Sequence, residues 1–202
     1  MQGDTADMPS LVRATVVVLV LLGLAACDGA PSEPPAPLPA SVSSSATAFT
    51  PPPLRLPQIA PGAACPAAAP RPWTGPGEAG RVFGDGPLYP IADYFRDGIE
   101  LELRPDDRQP NGTYVKKVRW IGAGYSGPVL VRAGRIDAPG AASASFSYVG
   151  EERDGGHYAE LTRENNDLPA TTTVAGPGCY AYQVDGATFS ITIVFQAVGS
   201  IG

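Results

Sequence analysis

His157 is the only histidine of this chain, set in Asp154-Gly155-Gly156-His157-Tyr158-Ala159-Glu160. An imidazole titrates near neutrality, so beside Glu160 or Glu151 it could act as a general base or hold a metal. Zinc wants three or four nitrogen, sulfur or carboxylate ligands, and one histidine without a second nitrogen or thiolate is a poor start. The pattern favours a strand-edge histidine beside a loop, with no metal and no cofactor. Gly122-Ala123-Gly124-Tyr125-Ser126-Gly127 is a literal G-x-G-x-x-G. Dinucleotide binding needs a helix after that loop, whose N-terminus meets the pyrophosphate. Here Pro128 and the β-type Val129-Leu130-Val131 follow, which reads as a glycine-rich loop between strands. Ser126 lacks the G-x-S-x-G elbow of a hydrolase nucleophile. Asp93 and Asp97, or Asp106 and Asp107, match no calcium-loop spacing.

Aromatic side chains are the stronger lead. Trp73, Tyr89, Tyr94, Phe95, Tyr125, Tyr148, Tyr158, Tyr180 and Tyr182 are many for a chain otherwise poor in reactive groups. Tyrosine and tryptophan favour interfaces and sugar stacking. Trp73, Tyr125 and Tyr158 are the candidate binding aromatics, while Trp120 fits a core position.

The chain has 202 residues and a net charge of -6. Mild acidity argues against non-specific nucleic-acid binding. Its densest basic run, Lys116-Lys117-Val118-Arg119, alternates like a solvated strand face. Near the start, Ala14 to Leu24 is an apolar run built on Val16, Val17, Val18, Leu19, Val20, Leu21 and Leu22. It falls short of the about 20 residues that a membrane span needs and suits a signal-peptide core. Arg13 gives the positive flank; Asp4 and Asp7 do not fit one, so Met8 reads as a better start than Met1.

Leu24-Ala25-Ala26-Cys27 closes that run and resembles the lipobox of bacterial lipoproteins. The resemblance implies a diacylglyceryl group on Cys27, removal of residues 1–26, and a lipid-anchored protein on the extracytoplasmic face of a bacterial membrane. Removal would take two acids and one base, bringing -6 to -5. With Cys27 given to lipid, Cys65 and Cys179 remain. An even pair outside the cytoplasm reads as a disulfide, with two free thiols or one catalytic cysteine as the alternatives.

The elements that must carry these residues are strands. Residues 27–64 read as the lipidated cysteine and a disordered linker rich in Pro, Ala and Ser, with a mean span on the order of 30–35 Å. From Cys65 to residue 202, short β-type runs alternate with Gly, Pro, Asp and Asn turns, as in a β-sandwich. Ile99 to Arg104 alternates cleanly. Pro110-Asn111-Gly112 marks a turn, and Thr113 to Ile121 reads as the return strand. Further strands are expected at Pro128 to Ile136, Ala141 to Val149, His157 to Thr162, Cys179 to Val184 and Ala187 to Ala197. The last two meet at Asp185-Gly186, a hairpin signal. Pro90 to Asp97 suits one helical turn.

Cys65-Pro66, the run Gly127 to Gly140, and Gly178-Cys179-Tyr180 resemble a group of bacterial secreted and lipoprotein domains held to be immunoglobulin-like sandwiches. The likeness spans about 65–198. It implies fold and compartment, with no catalytic residues to carry over, and an aromatic, Tyr180, packed near the disulfide. The resulting expectation is an all-β, immunoglobulin-like antiparallel β-sandwich behind a signal peptide and tether. It would be non-enzymatic and would serve as an interaction or structural module of the cell envelope. The alternatives are a module binding a glycan or envelope component, or, third, a hydrolase using His157.

Overall fold

The computed structural model describes residues 49–200; the expected signal segment, Cys27 and the linker up to residue 48 lie outside the described residues. In chain order the strands are β1 Arg71–Pro72, β2 Arg81–Val82, β3 Leu88–Pro90, β4 Glu100–Leu103, β5 Tyr114–Lys117, β6 Trp120–Gly122 and β7 Gly127–Arg135. They continue as β8 Ala142–Phe146, β9 Glu151–Arg153, β10 Gly156–Leu161, β11 Asn166–Leu168, β12 Ala170–Val174, β13 Gly178–Gly186 and β14 Ser190–Gly199. Single 3-10 turns stand at Ala92–Tyr94, inside the segment expected to form one helical turn, and at Pro105–Asp107.

The largest sheet has six strands in the order β4-β14-β13-β7-β10-β9. All its pairings are antiparallel except β4 with β14. Two three-stranded antiparallel sheets, β11-β6-β3 and β5-β12-β8, share one register. Leu168 faces Trp120, and three residues on Thr171 faces Lys117, so the ladder runs through Pro169 without slip. Val118 N–H donates to Ala170 O at 3.0 Å across the junction. Pro169 accepts from Ser147 N–H at 2.8 Å but has no N–H to return the bond, which ends β8 there.

Alternation on the strands fills the core. Tyr180, Tyr182 and Val184 of β13, Ile193, Phe195 and Ala197 of β14, and Val129 and Val131 of β7 belong to one buried cluster with Trp120 and Phe146. Trp120 meets Tyr182 edge-on at 5.0 Å and Phe146 at 6.2 Å, while Tyr182 stacks on Phe195 at 4.5 Å. Burying each such side chain contributes about 1.5–3 kcal/mol. The hydroxyls are matched as well: Tyr182 Oη lies 2.6 Å from Thr172 Oγ1, and Tyr180 Oη donates to Gly176 O at 2.8 Å.

Several expectations needed correction. Thr113 to Ile121 does form strand, as β5 and β6, but it is no return partner for β4. The Pro105–Asp107 turn carries the chain from β4, paired parallel to β14, into the other sheet system. At the last hairpin, Asp185 and Gly186 are strand residues, and the reversal falls on Ala187 and Thr188. The Asp185 carboxylate is used inside the sheet, as described below. Strands β1, β2, β3, β9, β11 and β12 have no counterpart among the expected strands, although Asp154 (φ 52°) and Gly155 (φ 74°) make the left-handed pair of a tight β9–β10 turn.

Candidate binding surface

Residues 49–59, expected within the disordered linker, instead lie on the outer face of β7 and β13. On a strand, neighbours point to opposite faces. The residues of β13 that turn away from the core are therefore Cys179, Ala181, Gln183 and Asp185, and on β7 Arg132 and Gly134. Arg132, Gln183 and Asp185 are nonetheless buried. Arg132 Nη2 donates to Asp185 Oδ2 at 2.5 Å and to Pro52 O at 2.7 Å. Gln183 Nε2 donates to both Asp185 oxygens at 3.0 and 3.1 Å and to Pro53 O at 3.2 Å; its Oε1 accepts from Arg55 N–H at 2.6 Å. Ser190 Oγ donates to Asp185 Oδ1 at 2.6 Å. A prolyl stretch carries carbonyl acceptors without N–H donors, so it complements a guanidinium and a side-chain amide. That is why this part of the linker is held despite its poor apolar content.

Further along, Ile59 N–H donates to Ile136 O at 3.0 Å, and Leu56 and Ile59 pack with Ile136, Cys179, Ala181, Cys65 and Val194. Cys65 and Cys179 are joined as a disulfide, with their Cα atoms 5.5 Å apart. The bridge ties the start of the domain to β13, as the sequence suggested. It lies on the outer face, so Tyr180, turned into the core, is on the opposite side from it. Beside the bridge, Asp137 accepts from Arg135 Nε at 2.7 Å and from Cys179 N–H at 3.0 Å. Burial works to raise the Asp137 carboxyl, but those bonds outweigh it and hold it below its ordinary value.

At the other end of the strap a groove of about 650 Å³ opens between Phe49, Thr50 and Pro52 and the hairpin Gly186–Ser190. Two of the candidate aromatics stand behind its walls. Tyr125 meets Phe189 edge-on at 5.0 Å, and Tyr158 stacks on Phe49 at 6.2 Å. Tyr125 Oη is already engaged, donating to Pro128 O at 2.7 Å and accepting from Ala187 N–H at 3.0 Å. Tyr158 donates to Glu160 Oε2 at 2.8 Å, and the Arg153 guanidinium covers its ring at 3.7 Å. Trp73 belongs to another cluster, packed on Tyr89 at 5.0 Å with Val82, Ile91 and Ile121, its Nε1 donating to Pro76 O at 3.2 Å. The three therefore form no shared exposed patch. Tyr89, Phe95, Tyr180 and Tyr182 are buried, and Tyr148, at 85% exposure, is the most open of the exposed large hydrophobics.

His157 is buried against Phe146. Its Nε2 lies 2.8 Å from Val149 O, while Ser145 Oγ and Glu152 Oε1 both lie 3.2 Å from Nδ1. A serine relay places nucleophile and carboxylate on opposite ring nitrogens. Here both share one nitrogen and the other meets a backbone carbonyl, so the three side chains do not assemble as a relay. The G-x-G-x-x-G segment connects β6 to β7, a loop between strands as its sequence indicated.

The sequence marked Asp185 as a turn residue and gave Gln183 no face, yet both lie buried on β13. Nothing local said that residues 52–59 would cover it. The fold and site together define an all-β, disulfide-bonded domain with its own N-terminal strap. No family model, no curated protein and no solved structure matches this chain.

Proposed function

We propose that the chain is a non-enzymatic lipoprotein, anchored through a diacylglyceryl group on Cys27 to the extracytoplasmic face of a bacterial membrane, and that its domain is an interaction or structural module of the envelope. The observation that carries this reading is the Cys65–Cys179 disulfide. Disulfides persist in oxidising compartments, and the pairing leaves Cys27 as the sulfur open to lipid. Two acyl chains, each buried methylene contributing about 0.8 kcal/mol, anchor stably where one chain alone is marginal.

The domain reads as an immunoglobulin-like sandwich. Support comes from the buried Trp120 between the sheet systems and from Tyr180 Oη returning to Gly176 O. The outer-face disulfide departs from the inter-sheet bridge of antibody domains. A glycan or envelope component remains the alternative ligand, favoured by the groove between Phe49 and Phe189. The hydrolase reading loses support from the His157 geometry.

Cys27→Ser tests the anchor: globomycin-sensitive processing should disappear and the protein should leave the membrane fraction. Unchanged fractionation would refute lipidation. His157→Ala should leave the binding of any envelope partner intact, whereas loss of turnover on an identified substrate would favour the hydrolase.

A further inference from the structure

We propose that the outer face of β7 and β13 is a receptor site for an extended, proline-bearing segment of a second polypeptide, held in the resting protein by residues 52–59 of the same chain. The site is built from side chains with no role in the core. Arg132 and Gln183, 6% and 3% exposed, give donors to two consecutive prolyl carbonyls, Pro52 and Pro53, and Gln183 Oε1 takes the N–H of Arg55. Asp185, fully buried, fixes both donors from beneath, and Ser190 fixes Asp185. The next position is read by shape. Gly134 leaves a socket for Leu56: a Cβ there would stand 2.5 Å from Leu56 Cδ1. Three residues on, Ile59 enters the apolar patch of Ile136, Cys179 and Ala181. The pattern accepted is therefore Pro-Pro-x-x-Leu-x-x-Ile in extended form, with an N–H required at the fourth position.

Recognition of this kind takes its affinity from main-chain bonds and its specificity from side-chain pockets. The resident segment is tethered six residues before Cys65, so it competes at an effective concentration in the millimolar range. A partner must displace it, which makes the site normally closed. This concerns the domain alone and stands apart from the lipid-anchor reading.

The test uses the full mature chain with Cys27→Ser and the disulfide intact. A protease recognition sequence inserted between Gly62 and Ala63, in an exposed turn, allows residues up to 62 to be cut free while Cys65 stays bridged. A fluorescent peptide of residues 49–62 is then titrated by anisotropy. The nicked protein should bind it saturably, at least about tenfold tighter than the uncut chain. Leu56→Asp in the peptide, or Gly134→Leu in the protein, should weaken binding at least about tenfold. The combined emission of Trp73 and Trp120 reports that the Gly134→Leu domain remains folded, and Gln183→Leu is a second variant expected to weaken binding. Failure of the peptide to enter overturns the proposal, whether the resident segment never leaves or the emptied site takes nothing. Equal binding by wild type and Gly134→Leu overturns it too.

Discussion

Removing the disulfide by Cys65→Ala with Cys179→Ala should cost about 5 kcal/mol. The bridge closes a loop of 114 residues. In the chain-entropy model such a loop restricts the unfolded chain by about 16 cal/mol/K, which is about 4.8 kcal/mol at 25 °C. Cys179 is buried beside Ile136 and Ala181, so alanine avoids placing a new hydroxyl among apolar groups. With a urea slope of about 2 kcal/mol/M, the unfolding midpoint should fall by about 2.5 M, and the slope should rise as the released unfolded chain exposes more surface. The intrinsic probes are Trp73, packed on Tyr89, and Trp120, fully buried against Tyr182 and Phe146. Wild-type protein unfolded in the presence of reductant should follow the double variant. A midpoint shift below about 0.5 M, with the slope preserved, would refute the premise that the cross-link acts by constraining the unfolded chain.

Tyr182→Phe leaves Thr172 Oγ1 buried without its partner and should lower stability by about 1–3 kcal/mol in urea melts. Burial pushes the Tyr182 phenol well above its ordinary value. The unfolded chain then releases this proton first, so the contribution is complete below about pH 10 and is lost as pH rises above it. Midpoints measured at pH 8, 10 and 11 should fall less in Tyr182→Phe than in wild type; identical falls would contradict that assignment. Asp137→Asn should soften the opposite limb. The depressed carboxyl stabilises the fold above the unfolded value near 3.9 and ceases to do so as pH drops through its lower folded value, so the variant should show a shallower stability loss below about pH 4. Gly150 has φ 88°, and a Cβ there would meet Tyr158 O at 2.1 Å and His157 Nε2 at 2.8 Å. Gly150→Ala should therefore cost more than about 1 kcal/mol by thermal melt, and a neutral result would count against the backbone described here.

How much of the molecule was legible depended on whether local pattern or distant covering decided burial. Ile99 to Arg104 showed its inward face because only one side of β4 is buried: Leu101 and Leu103 are inside, while Glu100 and Glu102 reach Arg96 and Arg104. The alternation Phe189, Ile191, Ile193, Phe195 was readable for the same reason. Ala170-Thr171-Thr172-Thr173-Val174 was missed although its threonines are β-branched. Their polarity masked the fact that Thr172 is buried with its hydroxyl bonded to Tyr182. Nor could the hairpin signal at Asp185-Gly186 weigh a turn against a buried ion pair with Arg132, 53 residues away.

The sequence by itself determined the strand-rich character of the chain after Cys65, because alternation and turn residues act within a few positions. The Cys65–Cys179 pairing was an expectation only once the lipobox resemblance had given Cys27 to lipid, and the structure joins that pair. Tertiary structure alone decided which strands meet, that Tyr180 and the bridge occupy opposite faces of β13, and that a proline segment lies over Arg132, Gln183 and Asp185. Those outcomes rest on contacts between residues far apart in the chain, where burial of one face depends on what another segment supplies to it.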